Sequence, residues 1–269
     1  MTERHGILVI GELADGEITS ATTELLATAS KLASDLNGEE VAATILGVEL
    51  NNAPQEAIFF GADKVYASDH PLLAETNHDA HLAVLTHIAT ENSPKIILSA
   101  KSLRCQEIAT RLAFRLGTSL AQDCIEVSID SGTSKLQCTR PVYGGNALAH
   151  VLCHGTPMMA TIRPRTCEPL ERDTSRKGKV VVLENVIDAS VIKVRFVERV
   201  EKEVTGVRLE NAKIIVAGGR GLGGPEPFTH LDELAQLLGA AVGASRAACD
   251  AGWVPPGYQI GLTGKSVTP

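Results

Sequence analysis

The chain is poor in aromatic residues, only 3% Phe, Trp and Tyr with a single Trp, which argues against a base-stacking platform for single-stranded nucleic acid. It has no surplus of positive charge. Its 25 Lys and Arg against 32 Asp and Glu leave a formal net charge of −7, whereas binding to a phosphate backbone rests on Lys and Arg. No nucleic-acid partner is expected. No apolar run approaches the roughly 20 residues of a membrane span, so no membrane insertion is expected. The N-terminal MTERHGILVIGE carries Glu3 and only a short apolar run, which reads as a first strand and not as a signal peptide. The cysteines (Cys105, Cys124, Cys138, Cys153, Cys167 and Cys249) form no CxxC pair. A chain of 269 residues does not need disulfide staples, so free thiols in a reducing cytoplasm are expected.

What is present is ordinary globular composition, 44% hydrophobic and 21% charged, on a length sufficient for about two domains. The first half alternates strand and helix patterns. ILVIG (Ile7 to Gly11) precedes a helical stripe of Leu25, Leu26, Ala29, Leu32, Ala33 and Leu36, with Thr19 or Ser20 as cap and Gly38 after its end. VAATILG, a short helix opened by Pro54 and closed by Gly61, KVYAS, a helix through Leu82, Leu85 and Ile88, KIILSA, and a helix from Leu103 to Leu116 follow in turn. This predicts an α/β fold with a mostly parallel sheet. CIEVSID and KLQCTRPVY around the turn signal SGTS, then NALAHVLCH and PMMATIRP, predict added antiparallel strands. A polar stretch from Arg163 to Lys179 reads as exposed loop. VVVLE and VIKVRFVERV read as strands, and a charged connector from Glu201 to Asn211 places a domain boundary near Gly206, between residues 1–206 and 207–269.

The last stretch holds three strand-to-turn motifs: IIVAGGRGLGG, VGASRAACDAG and YQIGLTGK. In open α/β sheets such turns at the carboxyl ends of strands build a nucleotide crevice. Gly219, Gly221 and Gly224 form G-x-G-x-x-G after a strand and before a helix, the context a pyrophosphate needs. Pro225 and Pro227 stand where the helix should start, and Ser245-Arg246 stand where an acidic ribose ligand belongs. The motif alone leaves a nicotinamide dinucleotide, another nucleotide and a structural turn all open. GLTGKS lacks the first P-loop glycine, because Gln259 occupies its place.

Five further residues read as structure. His150 and His154 lie four apart on a strand pattern, too far along the axis to share a metal, and no metal site is expected. His78 and His81 sit in a polar helix start and are expected to be solvated. Cys105 heads a helix, where a thiolate is favoured, but with no nearby His it reads as a buried thiol. No acid–base pair stands out. Arg220 and Arg246, each directly after a strand, are harder to explain structurally and suggest, with Ser245 and Thr263, contacts to a bound anion or an electron-rich ring.

Together GGRGL, VGASRAACDAG with Trp253 and Pro255, and QIGLTGK resemble the α subunits of electron-transfer flavoproteins, the FixB-type family. ILVIGE, KIILSAKS, RPVYGGNALA and ATIRP extend that resemblance over nearly the whole chain. It implies an electron carrier of the cytoplasm and of fatty-acid β-oxidation, a heterodimer with a β subunit, holding FAD in the second domain and fed by acyl-CoA dehydrogenase-type donors. By position, Arg246 resembles the arginine over the flavin ring and Thr263 the threonine that bonds flavin N5. Arg220 and Ser245 match positions near the cofactor and its phosphates. Ile260, Gly261 and Leu262 lie in the strand-end segment against the ligand, Leu262 standing where most members have Gln.

The family continues with a further strand and a GISGAIQH-like turn. The expectation is therefore a C-terminally truncated α subunit (a fragment, an ended gene or half of a split subunit) whose doubly wound FAD-binding domain is incomplete and binds FAD weakly. An NADP-dependent oxidoreductase fragment, with Ser245-Arg246 clamping a 2′-phosphate, and a cofactor-free heterodimer partner are the alternatives.

Overall fold

The computed structural model describes residues 4–74, 77–184, 187–194, 197, 209, 212–261, 263–265 and 267. In chain order the elements are β1 (Ile7–Ile10), β2 (Leu13–Ala14), β3 (Glu17–Ile18), α1 (Ser20–Asp35), β4 (Val41–Gly47), α2 (Ala53–Phe59), β5 (Lys64–Asp69), α3 (His78–Asn92), β6 (Ile96–Ala100), α4 (Leu103–Arg115) and β7 (Leu120–Cys124). Next come β8 (Glu126–Asp130), β9 (Lys135–Val142), β10 (Ala147–Leu152), β11 (Met158–Ile162), β12 (Lys179–Val182), β13 (Ile215–Gly218), α5 (Phe228–Leu238), β14 (Ala241–Ala244) and α6 (Arg246–Asp250). Backbone packing divides the chain into two compact units, Met1–Val197 and Glu198–Pro269. The boundary expected near Gly206 lies outside the described residues.

The first unit is built on a parallel sheet of order β12-β5-β4-β1-β6-β11-β7. Its central strands are buried on both sides, which is why ILVI and VAATILG are apolar without alternation. Alternate positions along each strand feed two cores. Ile7, Val9, Ile96 and Leu98 pack with Leu25, Leu26, Ala29 and Leu32 of α1. Leu8, Ile10 and Ile97 pack with Leu82, Leu85 and Ile88 of α3 and Ile108 and Leu112 of α4. The helices start where their caps permit. Thr19 accepts from Thr22 N at 3.3 Å for α1, and Ser102 accepts from Cys105 N at 3.0 Å for α4 while donating to Glu12 Oε1 at 2.6 Å. A separate antiparallel sheet of order β10-β9-β8 confirms the hairpin around SGTS. Among the described residues no helix is long and apolar enough to cross a membrane.

Three expectations are corrected. PMMATIRP was expected to be antiparallel, but β11 runs parallel between β6 and β7. All five of its residues are buried, so it is an interior strand covered on both faces, a placement its apolar run could not distinguish from a hairpin arm. LAQDC, for which no element is predicted, forms β7, which its half-buried, mixed composition concealed. His81, expected in solvent, is 2% exposed, because α3 turns that position inward onto the second core. Its neighbour His78 stays near the surface, with Nδ1 2.9 Å from Glu107 Oε2. Of VIKVRFVERV, Val191 closes a 3-10 turn and Ile192–Val194 form no strand; most of the remainder lies outside the described residues.

Asp123 shows how the far edge is fixed. Its φ of 61° is left-handed, and its carboxylate takes Arg163 Nε at 3.0 Å, Arg163 Nη2 at 2.9 Å and Lys101 Nζ at 3.0 Å. Burial alone would raise this carboxyl, but the two cations outweigh it and hold it below its ordinary value. The depressed value stabilises the fold above the unfolded carboxyl's pKa and is lost as pH falls through the folded one. Asp123→Asn keeps a residue tolerant of positive φ. It should cost about 1.5 kcal/mol in urea unfolding at neutral pH, with the difference shrinking toward pH 3. Equal stability at neutral pH would show that the pairs contribute nothing.

Candidate functional site

The second unit builds its site on a parallel pair. β13 and β14 pair from Ile215↔Ala241 to Gly218↔Ala244, with α5 crossing between them. A third segment joins at Ala244↔Gln259, and Ile260 N donates to Ala244 O at 2.9 Å. Three neighbouring strand ends thus point the same way, carrying Gly219-Arg220, Ser245-Arg246 and Ile260-Gly261. Phe228, Ala244, Ala248 and Cys249 form the small core beneath, with Leu231 and Trp253 packed on it.

The turn after β13 is not a dinucleotide fingerprint in its usual form. Arg220–Leu222 is a 3-10 turn closed by Gly223 at φ 82°, and α5 begins only at Phe228 behind Pro227, with no side-chain cap. The helix N-terminus therefore does not abut Gly221, because two prolines delay it. Gly219 has a different use. A Cβ there would stand 3.4 Å from Ser245 Oγ, so its missing side chain leaves room beside that hydroxyl. Ser245 N donates to Gly218 O at 2.9 Å, while Ser245 Oγ is buried and has no hydrogen-bond partner. A buried hydroxyl without a partner, next to a glycine gap at a sheet's carboxyl edge, is what an incoming polar ligand would satisfy.

Arg246 opens α6 and is exposed, with Nε 3.2 Å from Asp250 Oδ2. That contact takes one edge of the guanidinium and leaves the other for a ligand. A carboxylate so close disfavours a 2′-phosphate, which weighs against the NADP reading. Thr263 is exposed, and its Oγ1 accepts from Gln259 Nε2 at 2.7 Å, which leaves its own O–H free to donate. The turn carrying it is closed by Lys265 N to Gln259 O at 2.8 Å and Gly264 N to Gly261 O at 3.0 Å. Gly261 has φ 120°. Ile260 anchors the segment against Leu209, Ala212 and Ala241. Arg220 is exposed on its turn, and Leu262 lies outside the described residues.

Sequence reasoning missed Asp250, Gln259 and Gly264. The four-residue spacing of Arg246 to Asp250 was the available signal for one of them. Among the described residues no group of His, Cys, Asp or Glu could hold a metal. His150 Nδ1 instead lies 3.0 Å from Thr139 Oγ1, and His154 Nδ1 2.8 Å from Lys135 Nζ.

Residues 7–188 match the electron transfer flavoprotein domain, and residues 208–269 match the electron transfer flavoprotein FAD-binding domain. The chain belongs to the electron transfer flavoprotein family. It is 38% identical over 270 residues to the electron transfer flavoprotein subunit alpha of Thermoanaerobacterium thermosaccharolyticum, covering 100% of this chain and 81% of that protein. The subunit alpha of Bacillus subtilis is 39% identical over 265 residues, with 98% and 79% coverage. The protein FixB of Azorhizobium caulinodans is 35% identical over 261 residues, with 94% and 70% coverage. The three strand-end motifs lie inside the FAD-binding match, so the resemblance read from them and the family assignment agree.

Proposed function

We propose that this chain is the α subunit of an electron-transfer flavoprotein. It binds FAD along the strand ends of its second unit and works as a heterodimer with the electron-transfer flavoprotein β subunit. Its electrons come from acyl-CoA dehydrogenase-type donors of fatty-acid β-oxidation. The observation that carries the reading is the unpartnered buried Ser245 hydroxyl beside Gly219, set between two exposed arginines within the FAD-binding match. In this reading Ser245 and Arg220 meet the cofactor's phosphates, Arg246 stands against the ring, and Thr263 donates its hydroxyl proton to a ring nitrogen. Bound FAD supplies the electron chemistry, and the residues bind, orient and bias its charge. The described cysteines are all free, which supports a reducing compartment, the cytoplasm.

Two outcomes test it. The chain alone should hold FAD weakly. Arg220, Arg246 and Thr263 are exposed, and a few polar contacts of roughly 1–3 kcal/mol each fall well short of the about 12 kcal/mol of nanomolar binding. Saturable FAD binding by fluorescence, lost on desalting and not displaced by NADP, is the expected result. A stoichiometric yellow product after desalting would sink the weak-binding expectation, and absence of any saturable binding, with or without the β subunit, would sink the functional reading. At saturating FAD, Arg246→Ala should lower the one-electron potential by roughly 59 mV if the guanidinium contributes about 1.4 kcal/mol to negative charge on the ring. An unchanged potential would place Arg246 away from it.

A further inference from the structure

Three of the cysteines meet in one place, far in sequence from the strand-end site. Cys138 lies on β9 opposite Val127 of β8 and Val151 of β10. Its side chain faces the first core together with Cys124, the last residue of β7, and Cys153, which follows β10. Cys124 and Cys138 have no solvent exposure, and Cys153 has 6%. Cys153 N donates to Leu136 O at 2.9 Å, which holds it across from β9 two register steps beyond the Cys138↔Val151 pair, on the same face as Cys138. The neighbouring Cys124 and Cys153 thiols, together with burial, push the Cys138 thiol well above its ordinary pKa. Diagonal partners of this kind across an antiparallel pair lie about 7–8 Å apart, so the disulfide requires a backbone shift that draws the end of β10 toward β9.

We propose that Cys153 and Cys138 are a thiol-oxidation site that hydrogen peroxide converts reversibly to an intramolecular disulfide. Cys153 is the attacking thiol. It is the least buried of the trio, and the exposed His154 follows it. The adjoining Cys138 thiol holds its pKa below the ordinary thiol value, while the neighbouring thiols and burial push that of Cys138 up. Lys135, whose Nζ lies 2.8 Å from His154 Nδ1, adds positive charge nearby.

The steps balance. The Cys153 sulfur attacks one peroxide oxygen, an S–O bond forms, the O–O bond breaks, and the departing hydroxide takes the thiol's proton as water. The Cys138 sulfur then attacks the Cys153 sulfenic sulfur. The S–S bond forms as the S–O bond breaks, and that hydroxide leaves with the Cys138 proton as a second water. Two thiols are oxidised and one peroxide is reduced. Cys124 stays a thiol.

The test uses the full chain carrying Cys167→Ser, which removes the one cysteine that is not buried and so suppresses disulfides between molecules. Treated with hydrogen peroxide at neutral pH, it should lose two hydrogens (about 2 Da) and two free thiols, and regain both with dithiothreitol. Peptide mapping should find Cys138 linked to Cys153. Adding Cys138→Ser should abolish the mass loss and leave Cys153 trappable by dimedone. Retention of every thiol, addition of oxygen without loss of hydrogen, or any linkage other than Cys138–Cys153 would overturn the proposal. The mapping on the parent protein decides it even if the Cys138 variant misfolds.

Discussion

Gly264→Ala should weaken FAD binding about ten- to hundredfold, with the first unit untouched. A Cβ at this position would stand 2.4 Å from Gln259 O and 2.7 Å from Gln259 C, both backbone atoms that cannot rotate away. To make room, the turn must open. Gln259 O then loses the Lys265 N–H, now at 2.8 Å, and Thr263 loses the amide that orients its hydroxyl at 2.7 Å. Overpacking and a lost hydrogen bond each cost about 1–3 kcal/mol, and one such cost accounts for the expected loss. Gly257→Ala is the control, because nothing lies within 4 Å of its Cβ position on the same segment. Fluorescence titration of both variants decides the matter: equal affinities would mean that the Gln259–Lys265 turn takes no part in holding the cofactor.

His81→Gln should flatten the acid side of the stability profile by about 3 kcal/mol between pH 6.5 and 4. Burial pushes the His81 imidazole from 6.5 down to about 4, with the Arg104 guanidinium and His78 acting in the same direction against the hydrogen bond to Asn77. Its Nδ1 donates to Asn77 O at 2.9 Å, while Nε2 is buried without a partner. The unfolded chain takes up this proton near pH 6.5 and the folded chain not until about pH 4. The unfolded state therefore binds more protons in that window, and stability falls as pH falls through it. Urea unfolding across the window should show a shallower slope in the variant than in the parent, whatever packing the substitution costs at neutral pH. An identical slope would mean that the imidazole is protonated in the folded chain.

How far these features could be read beforehand depended on how local their causes are. The first-half helices were legible because Leu25, Leu26, Ala29 and Leu32 recur at helical spacing and Thr19 caps them as its side chain permits. The hairpin of β8 and β9 was legible from SGTS. The three strand-end motifs were legible as a crevice, since a turn between strand and helix is written in consecutive residues. β11 was misassigned because an apolar run carries no mark of strand direction, and His81 because two residues of helical phase decide between water and core. The partners of the site side chains, Asp250 for Arg246 and Gln259 for Thr263, became evident only when the turns were built.

By itself the sequence determined the α/β class, the main alternation of strands and helices as far as α4, and the three strand-end motifs that place the chain in its family. Each follows from spacing along the backbone, where periodicity, caps and glycines act over a few residues. The tertiary structure alone decided that β11 enters the parallel sheet, that Ser245 Oγ is left without a partner beside Gly219, and that Cys124, Cys138 and Cys153 pack into one core. Those facts depend on which distant segments become neighbours. That is settled by burying both faces of one sheet at once, a condition on the whole unit and not on any single stretch of residues.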